Sequence, residues 1–129
     1  MGKTVSASSG EGVLAVTARA SWIGDDILVC LYGGSRPHIG AAALAFPCQD
    51  DGCGVTAWAS VLGAPGHRDD TVAHKLAMGL CKATGRPVCM TVGIHIDHAS
   101  GEEIAHLLQN AEDATLKLAA LLKELTHES

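Results

Sequence analysis

The sequence predicts an α+β fold: a mainly antiparallel sheet of five or six strands with two helices packed on it. Three observations carry that expectation. The first half of the chain alternates apolar and polar residues with a period of two, broken by glycine-rich turns. The second half reads as helix, strand, helix. Runs of strands followed by segregated helices belong to α+β architectures rather than to an alternating parallel sheet. The 129 residues suit one domain, 1–129, with residues 1–11 as a flexible or edge-strand start.

From Gly12 to Trp22, Leu14, Val16, Ala18, Ala20 and Trp22 share one face, and Thr17, Arg19 and Ser21 share the other, which is the pattern of a half-buried strand. Gly24-Asp25-Asp26 supplies turn chemistry, and Ile27 to Tyr32 returns as the second strand of a hairpin. Ile39 to Phe46 is a further strand, expected to stop at Pro47. Val55 to Leu62 is its partner across the Cys48–Gly54 loop.

Asp69 or Asp70 opens a helix whose apolar residues Val72, Leu76 and Leu80 lie four apart, beside Ala73, Ala77 and Cys81. Gly85 and Pro87 end it. Val88 to Ile96 is the clearest strand, with Val88, Met90, Val92, Ile94 and Ile96 on the face that meets the helices. His95 and Asp97 then share the other face, and His98 lies just beyond the strand. Ser100-Gly101-Glu102-Glu103 is a capping box, and the long helix it opens carries Ile104, Leu107, Leu108, Ala111, Leu118, Leu121, Leu122 and Leu125.

Composition excludes several roles. With 47% hydrophobic and 18% charged residues, the chain can bury a core, so it is not disordered as a whole. The net charge of −5, the lack of a basic run and only 3% aromatics speak against nucleic-acid binding. No apolar stretch has membrane-spanning length, and the polar, Ser/Gly-rich start does not read as a signal peptide. The expected compartment is the cytoplasm, where the five cysteines would be free thiols. Cys30, Cys81 and Cys89 read as small core residues. Cys48 and Cys53 flank a loop without the spacing of a zinc knuckle.

No Walker loop, GxGxxG or nucleophile elbow is present, so no catalytic residue is assigned. Taken singly, each histidine is explained as a surface residue. Taken together, His38, His67, His95, Asp97 and His98 mark a candidate site. Two readings of that set stay open. His95 and His98, with His38, His67 or Asp97, could form the two-His, one-carboxylate set of a small metal-dependent enzyme. His67 and Arg68, just ahead of a helix, would instead suit an anion, because the first backbone N–H groups of a helix point outward.

Four segments carry a resemblance: Gly33-Gly34, Pro37-His38-Ile39-Gly40, Gly66-His67-Arg68-Asp69-Asp70 and Gly93-Ile94-His95-Ile96-Asp97-His98. Together they resemble the LpdD-like prenylated-flavin chaperones, the small accessory proteins of gallate-type decarboxylase systems. The resemblance runs from about Leu14 into the last helix, and departs from the family pattern at Ser35-Arg36 and in the Cys48–Cys53 loop. It implies a fold like that of proteasome-assembly chaperones, often dimeric. It also implies a non-catalytic accessory protein that binds prenylated FMN or FMN transiently and delivers it to a UbiD-type aromatic acid decarboxylase. The residues it places in the cofactor site are His38, Gly40, His67, Arg68, His95, Asp97 and His98; Arg36, which stands where the sequence departs from the family pattern, is added as a phosphate contact or else reads as a surface residue. A homodimer or higher oligomer is expected, formed by pairing of sheet edges. Two alternatives remain: the metal-dependent enzyme using His38, His95 and His98, and a plain protein–protein assembly module.

Overall fold

A computed structural model describes residues 3–50, 54–63 and 69–127. Six strands form one sheet: β1 (Val5–Ser9), β2 (Val16–Ile23), β3 (Asp26–Gly34), β4 (Ala41–Asp50), β5 (Gly54–Gly63) and β6 (Val88–His95). Two helices complete the chain, α1 (Asp69–Thr84) between β5 and β6 and α2 (Gly101–His127) after β6. The strand order is β1-β2-β3-β6-β4-β5. Every pairing is antiparallel except β3 with β6, which run parallel from Ile27↔Val88 to Gly34↔His95. The last strand in sequence is thus inserted between two hairpins. The fold is α+β, as the sequence predicts, and the start of the chain contributes β1 as an edge strand.

Local chemistry accounts for the joints. The β2–β3 hairpin turns through Gly24-Asp25, and Gly24 has φ 61°, the left-handed backbone that a two-residue hairpin turn requires. At the end of α1, Gly85 adopts φ 69° and its N–H donates to the Cys81 carbonyl at 2.8 Å, which satisfies a carbonyl the helix leaves over. The capping box of α2 is formed in both directions: Glu103 N–H donates to Ser100 Oγ at 3.1 Å, and Ser100 N–H donates to Glu103 Oε1 at 3.0 Å.

Both helices lie on one face of the sheet. The core between the layers holds Val16, Ala18, Ala20, Ile27, Val29, Leu31, Ala41, Ala43, Ala45, Val88, Met90 and Val92 from the strands. Ala73, Ala77, Leu80, Ala111, Ala114, Leu118 and Leu122 meet them from the helices. Alanines at so many contact positions bring helix and sheet backbones close, so packing rests on many small contacts rather than on aromatic bulk. α1 packs over β4, β5 and β6, and α2 packs over β1 and β2. Asn110 Nδ2 donates to the Leu14 carbonyl at 2.8 Å and pins the β1–β2 connection to α2.

Two expectations need correction. β4 does not stop at Pro47 but runs on to Asp50, with Pro47 opposite Ala57. The β4–β6 ladder covers only Ala41 to Ala45. At Pro47 the strand therefore has a single neighbour, and a residue without an N–H is tolerated there. Cys81 is buried, but Cys30 is exposed and Cys89 only half-buried. Both belong to the register rows that face away from the helices. Cys53 lies outside the described residues.

Candidate functional site

The chain must pass from β3 to β4 across the end of β6, because β6 sits between them. Residues 35–40 make this crossing, and backbone contacts hold them flush against β6. Ser35 N–H donates to the His95 carbonyl at 2.8 Å, Arg36 N–H reaches the same oxygen at 3.3 Å, and Gly40 N–H donates to the Val92 carbonyl at 2.8 Å. Asp97 N–H donates to Ser35 Oγ at 3.0 Å. Glycine is required at two of these approaches. A Cβ at Gly93 would fall on the His38 carbonyl, and one at Gly34, where φ is 87°, on the His95 carbonyl.

The crossing carries Arg36 and His38 to the end of β6. Arg36 Nη2 donates to Asp97 Oδ1 at 2.7 Å, and His95 Nε2 donates to the same oxygen at 3.1 Å. His95 and Asp97, two apart at a strand end, do share a face. The Arg36 hydrogen bond, joined by that from His95, holds the Asp97 carboxyl below its ordinary range. All three side chains remain substantially exposed. His38 Nδ1 lies 2.9 Å from the Arg36 carbonyl. A carbonyl only accepts, so this nitrogen carries the proton. Nε2 of the same ring then faces Asp69 Oδ2 at 3.4 Å. The Asp69 side chain is only 9% exposed and sits at the first residue of α1, where the helix dipole favours a negative charge. The His38 and His95 rings meet edge to face, with centroids 6.3 Å apart.

Beside these residues a cleft of about 710 Å³ opens between the N-terminal ends of the two helices. Its polar side is formed by Asp69, Thr71, His95 and His98, and its apolar side by Val72, Ile94, Ile96, Ile104, Leu107 and Leu108. The volume is that of a small-molecule or cofactor site, and so is the combination of an apolar wall with a few convergent polar groups. His98 reaches the cleft because it adopts φ 55°, a left-handed turn directly after β6.

The structure thus brings together Arg36, His38, Gly40, His95, Asp97 and His98. A Cβ at Gly40 would meet the Asp69 carboxylate, so its small size admits the His38–Asp69 contact. His67 and Arg68 lie outside the described residues. Sequence reasoning missed Asp69, which reads as a helix-capping residue, and Ser35, which looks like a departure from a family motif yet ties the crossing to Asp97. It also missed the apolar wall from α2, whose residues read only as core. Among the described residues, no three His, Cys, Asp or Glu side chains gather where they could hold one metal ion. The described helices include none long and apolar enough to cross a membrane.

Fold and site together define a small α+β protein with a half-apolar, histidine-rimmed cleft at one end of its sheet. The chain belongs to the prenylated flavin chaperone LpdD-like domain family, whose model matches residues 10–123. No curated protein matches it in sequence. Among solved structures it is similar to a chain of a chaperone complex for yeast 20S proteasome assembly, at 9% identity and a TM-score of 0.49, covering 88% of this chain and 98% of that one.

Proposed function

We propose that the cleft receives a prenylated FMN, holds it transiently and releases it to a UbiD-type aromatic acid decarboxylase. Family membership supports the cofactor class. The observation that carries the reading is a cleft with His95 and His98 on its polar side and Val72, Ile94, Ile96, Ile104, Leu107 and Leu108 on its apolar side; Arg36 and His38 adjoin it through Asp97 and the His95 ring. A prenylated flavin has the matching two halves, a phosphate that needs cationic or N–H donors and a ring system with an added hydrocarbon that needs apolar cover. Arg36 is the proposed phosphate contact: its side chain is 69% exposed, and its bond to Asp97 is made through Nη2, which leaves further guanidinium N–H groups to donate to phosphate oxygens. His67 and Arg68, which immediately precede α1 in sequence, join the set on the strength of the resemblance and of their place just ahead of a helix.

Transient binding also suits the site. The cleft is lined in part by half-exposed Ile104 and Leu108, so it covers a ligand on one side and leaves the other side for a receiving enzyme. In this reading the protein acts in the cytoplasm, as a homo-oligomer, and contributes no catalytic residue.

The test is retention of flavin. The purified chain is mixed with prenylated FMN, or with FMN, and desalted, and the absorbance and fluorescence that travel with the protein are measured. Prenylated FMN should be retained at micromolar protein, and Arg36→Ala should weaken retention roughly tenfold, the value of one charge-assisted hydrogen bond at an exposed site. Failure of both flavins to travel with the folded protein would overturn the proposal.

A further inference from the structure

Asp97 is an unexpected neighbour for a phosphate contact. A carboxylate repels a phosphate, yet this one bonds Arg36, the side chain proposed to hold it, through Nη2 at 2.7 Å. Its second bond supplies a reason. The same carboxylate oxygen accepts from His95 Nε2 at 3.1 Å. The backbone beneath is held as well: Asp97 N–H donates to Ser35 Oγ at 3.0 Å, and Ser35 N–H donates to the His95 carbonyl at 2.8 Å. One oxygen thus sets two side chains from distant segments, the β3–β4 crossing and the end of β6, beside each other. Their bonded nitrogens stand no more than about 6 Å apart, two hydrogen-bond lengths.

The bond to Asp97 also fixes polarity. An ionised carboxylate only accepts, so in the neutral His95 ring Nε2 carries the proton and Nδ1 the lone pair. Among the described residues, none bonds Nδ1. The ring lines the cleft and its side chain is 41% exposed, so a ligand can reach that nitrogen. Arg36 keeps guanidinium N–H groups beyond the one spent on Asp97. The edge of the cleft therefore presents donors for an anion and, one side chain away, a single acceptor.

We infer that Asp97 is a positioning residue that makes Arg36 and His95 a two-point hold for a phosphate monoester with a hydroxyl on the carbon next to the ester carbon. Arg36 takes the phosphate, and His95 Nδ1 accepts the hydroxyl proton. The spacing selects this pair of groups. A hydroxyl next to the ester carbon is a near neighbour of the phosphate, as His95 is of Arg36, whereas a flavin ring lies beyond the whole ribityl chain. In the flavin of the proposed function the hydroxyl is the ribityl one nearest the phosphate. The inference rests on that reading for the identity of the ligand and names which part of it these residues recognise. It leaves the ring to the apolar wall of Ile94, Ile96, Ile104 and Leu108. It also accounts for the carboxylate: Asp97 costs some attraction for the phosphate and returns orientation of both contacts.

The full chain is titrated with β-hydroxypropyl phosphate and with propyl phosphate, which differ only in the hydroxyl on the carbon next to the ester carbon. Binding is read from the imidazole and guanidinium NMR signals at mildly alkaline pH, where an ordinary imidazole is neutral. The wild type should bind the hydroxylated probe roughly fivefold more tightly, the value of one hydrogen bond at an exposed site. Long-range nitrogen–proton spectra of the ligand-free chain should place the His95 proton on Nε2. His95→Phe should bring the two affinities together at the propyl phosphate value. Asp97→Asn should also bring them together, but without weakening propyl phosphate, because it removes a negative charge; a merely structural role would weaken both probes alike. Equal affinities in the wild type overturn the inference, as does binding of neither probe. So does a preference that survives Asp97→Asn, or a His95 proton found on Nδ1. Preference for the hydroxylated probe in a protein that retains no flavin would sink the flavin reading and keep the two-point hold. Flavin retention without the preference does the reverse.

Discussion

Replacing Gly93 by alanine places a methyl group where the His38 carbonyl now lies against β6. An ordinary carbon–oxygen contact needs about 3.3 Å, so residues 35–40 must lift by about 2 Å to admit the new atom. The Gly40 N–H···O=C Val92 bond, at 2.8 Å, then passes beyond hydrogen-bonding range. Overpacking of this kind costs roughly 1–3 kcal/mol, and the lost bond adds about 1 kcal/mol. The sum is roughly 2–4 kcal/mol, which for a chain of this size lowers Tm by roughly 8–15 °C. Calorimetry of the variant measures the loss. The control is the same substitution at Gly79 in α1, where an added Cβ meets nothing within 4 Å. There alanine should raise stability by about 0.5–1 kcal/mol, because glycine in a helix interior carries excess backbone entropy. Opposite signs for one chemical change are the expected outcome. A Gly93→Ala protein that melts with the wild type would refute the close seating of the crossing, and with it the geometry of the site.

The remaining predictions concern the core, a helix end and the ion pair. Leu118→Ala removes a fully buried side chain of α2 and should cost roughly 2–5 kcal/mol in denaturant unfolding; a loss under about 1 kcal/mol would show that α2 is not seated on the sheet. Ser100→Ala removes one arm of the capping box and should lower stability by about 1 kcal/mol, visible as faster amide exchange in the first turn of α2 while exchange in α1 stays the same. Asp97 should titrate below an ordinary aspartate in carbon-detected NMR, and Arg36→Ala should move it back up. Because the folded value is the lower one, the pair's contribution to stability is complete above the unfolded carboxyl range and is lost as pH falls through the depressed value. A titration indifferent to Arg36 would break the assignment.

Much of this architecture is legible in local pattern. Period-two alternation marks β2 and β6, because each buries one face. The four-residue spacing of Val72, Leu76 and Leu80 marks α1, and Ser100 with Glu103 marks the start of α2. Sheet order is not legible that way. The pairing of β3 with β6 joins residues about 60 positions apart, and nothing in either strand names its neighbour. Pro47 misled because its cost depends on whether a second ladder runs beside it. Cys30 and Cys89 misled because an uncharged residue on a strand looks like core whichever way it points. At the site, His38 and His95 stand out as residues, but Asp69 is recognisable as a partner only once α1 has been laid beside the crossing.

The insertion of β6 between two hairpins bears on how the chain acquires its site. The β2–β3 and β4–β5 hairpins close over short loops and can form early, whereas β6 must bring together segments from distant parts of the chain and carries a greater loop-closure entropy. Arg36 and His38 have no wall to lie against until that strand is in place, and Asp97 has no partner. The candidate site is therefore completed by the longest-range strand pairing in the fold. During refolding the contacts of Arg36, His38 and Asp97 should appear with those of β6, later than the bulk of the strand signal.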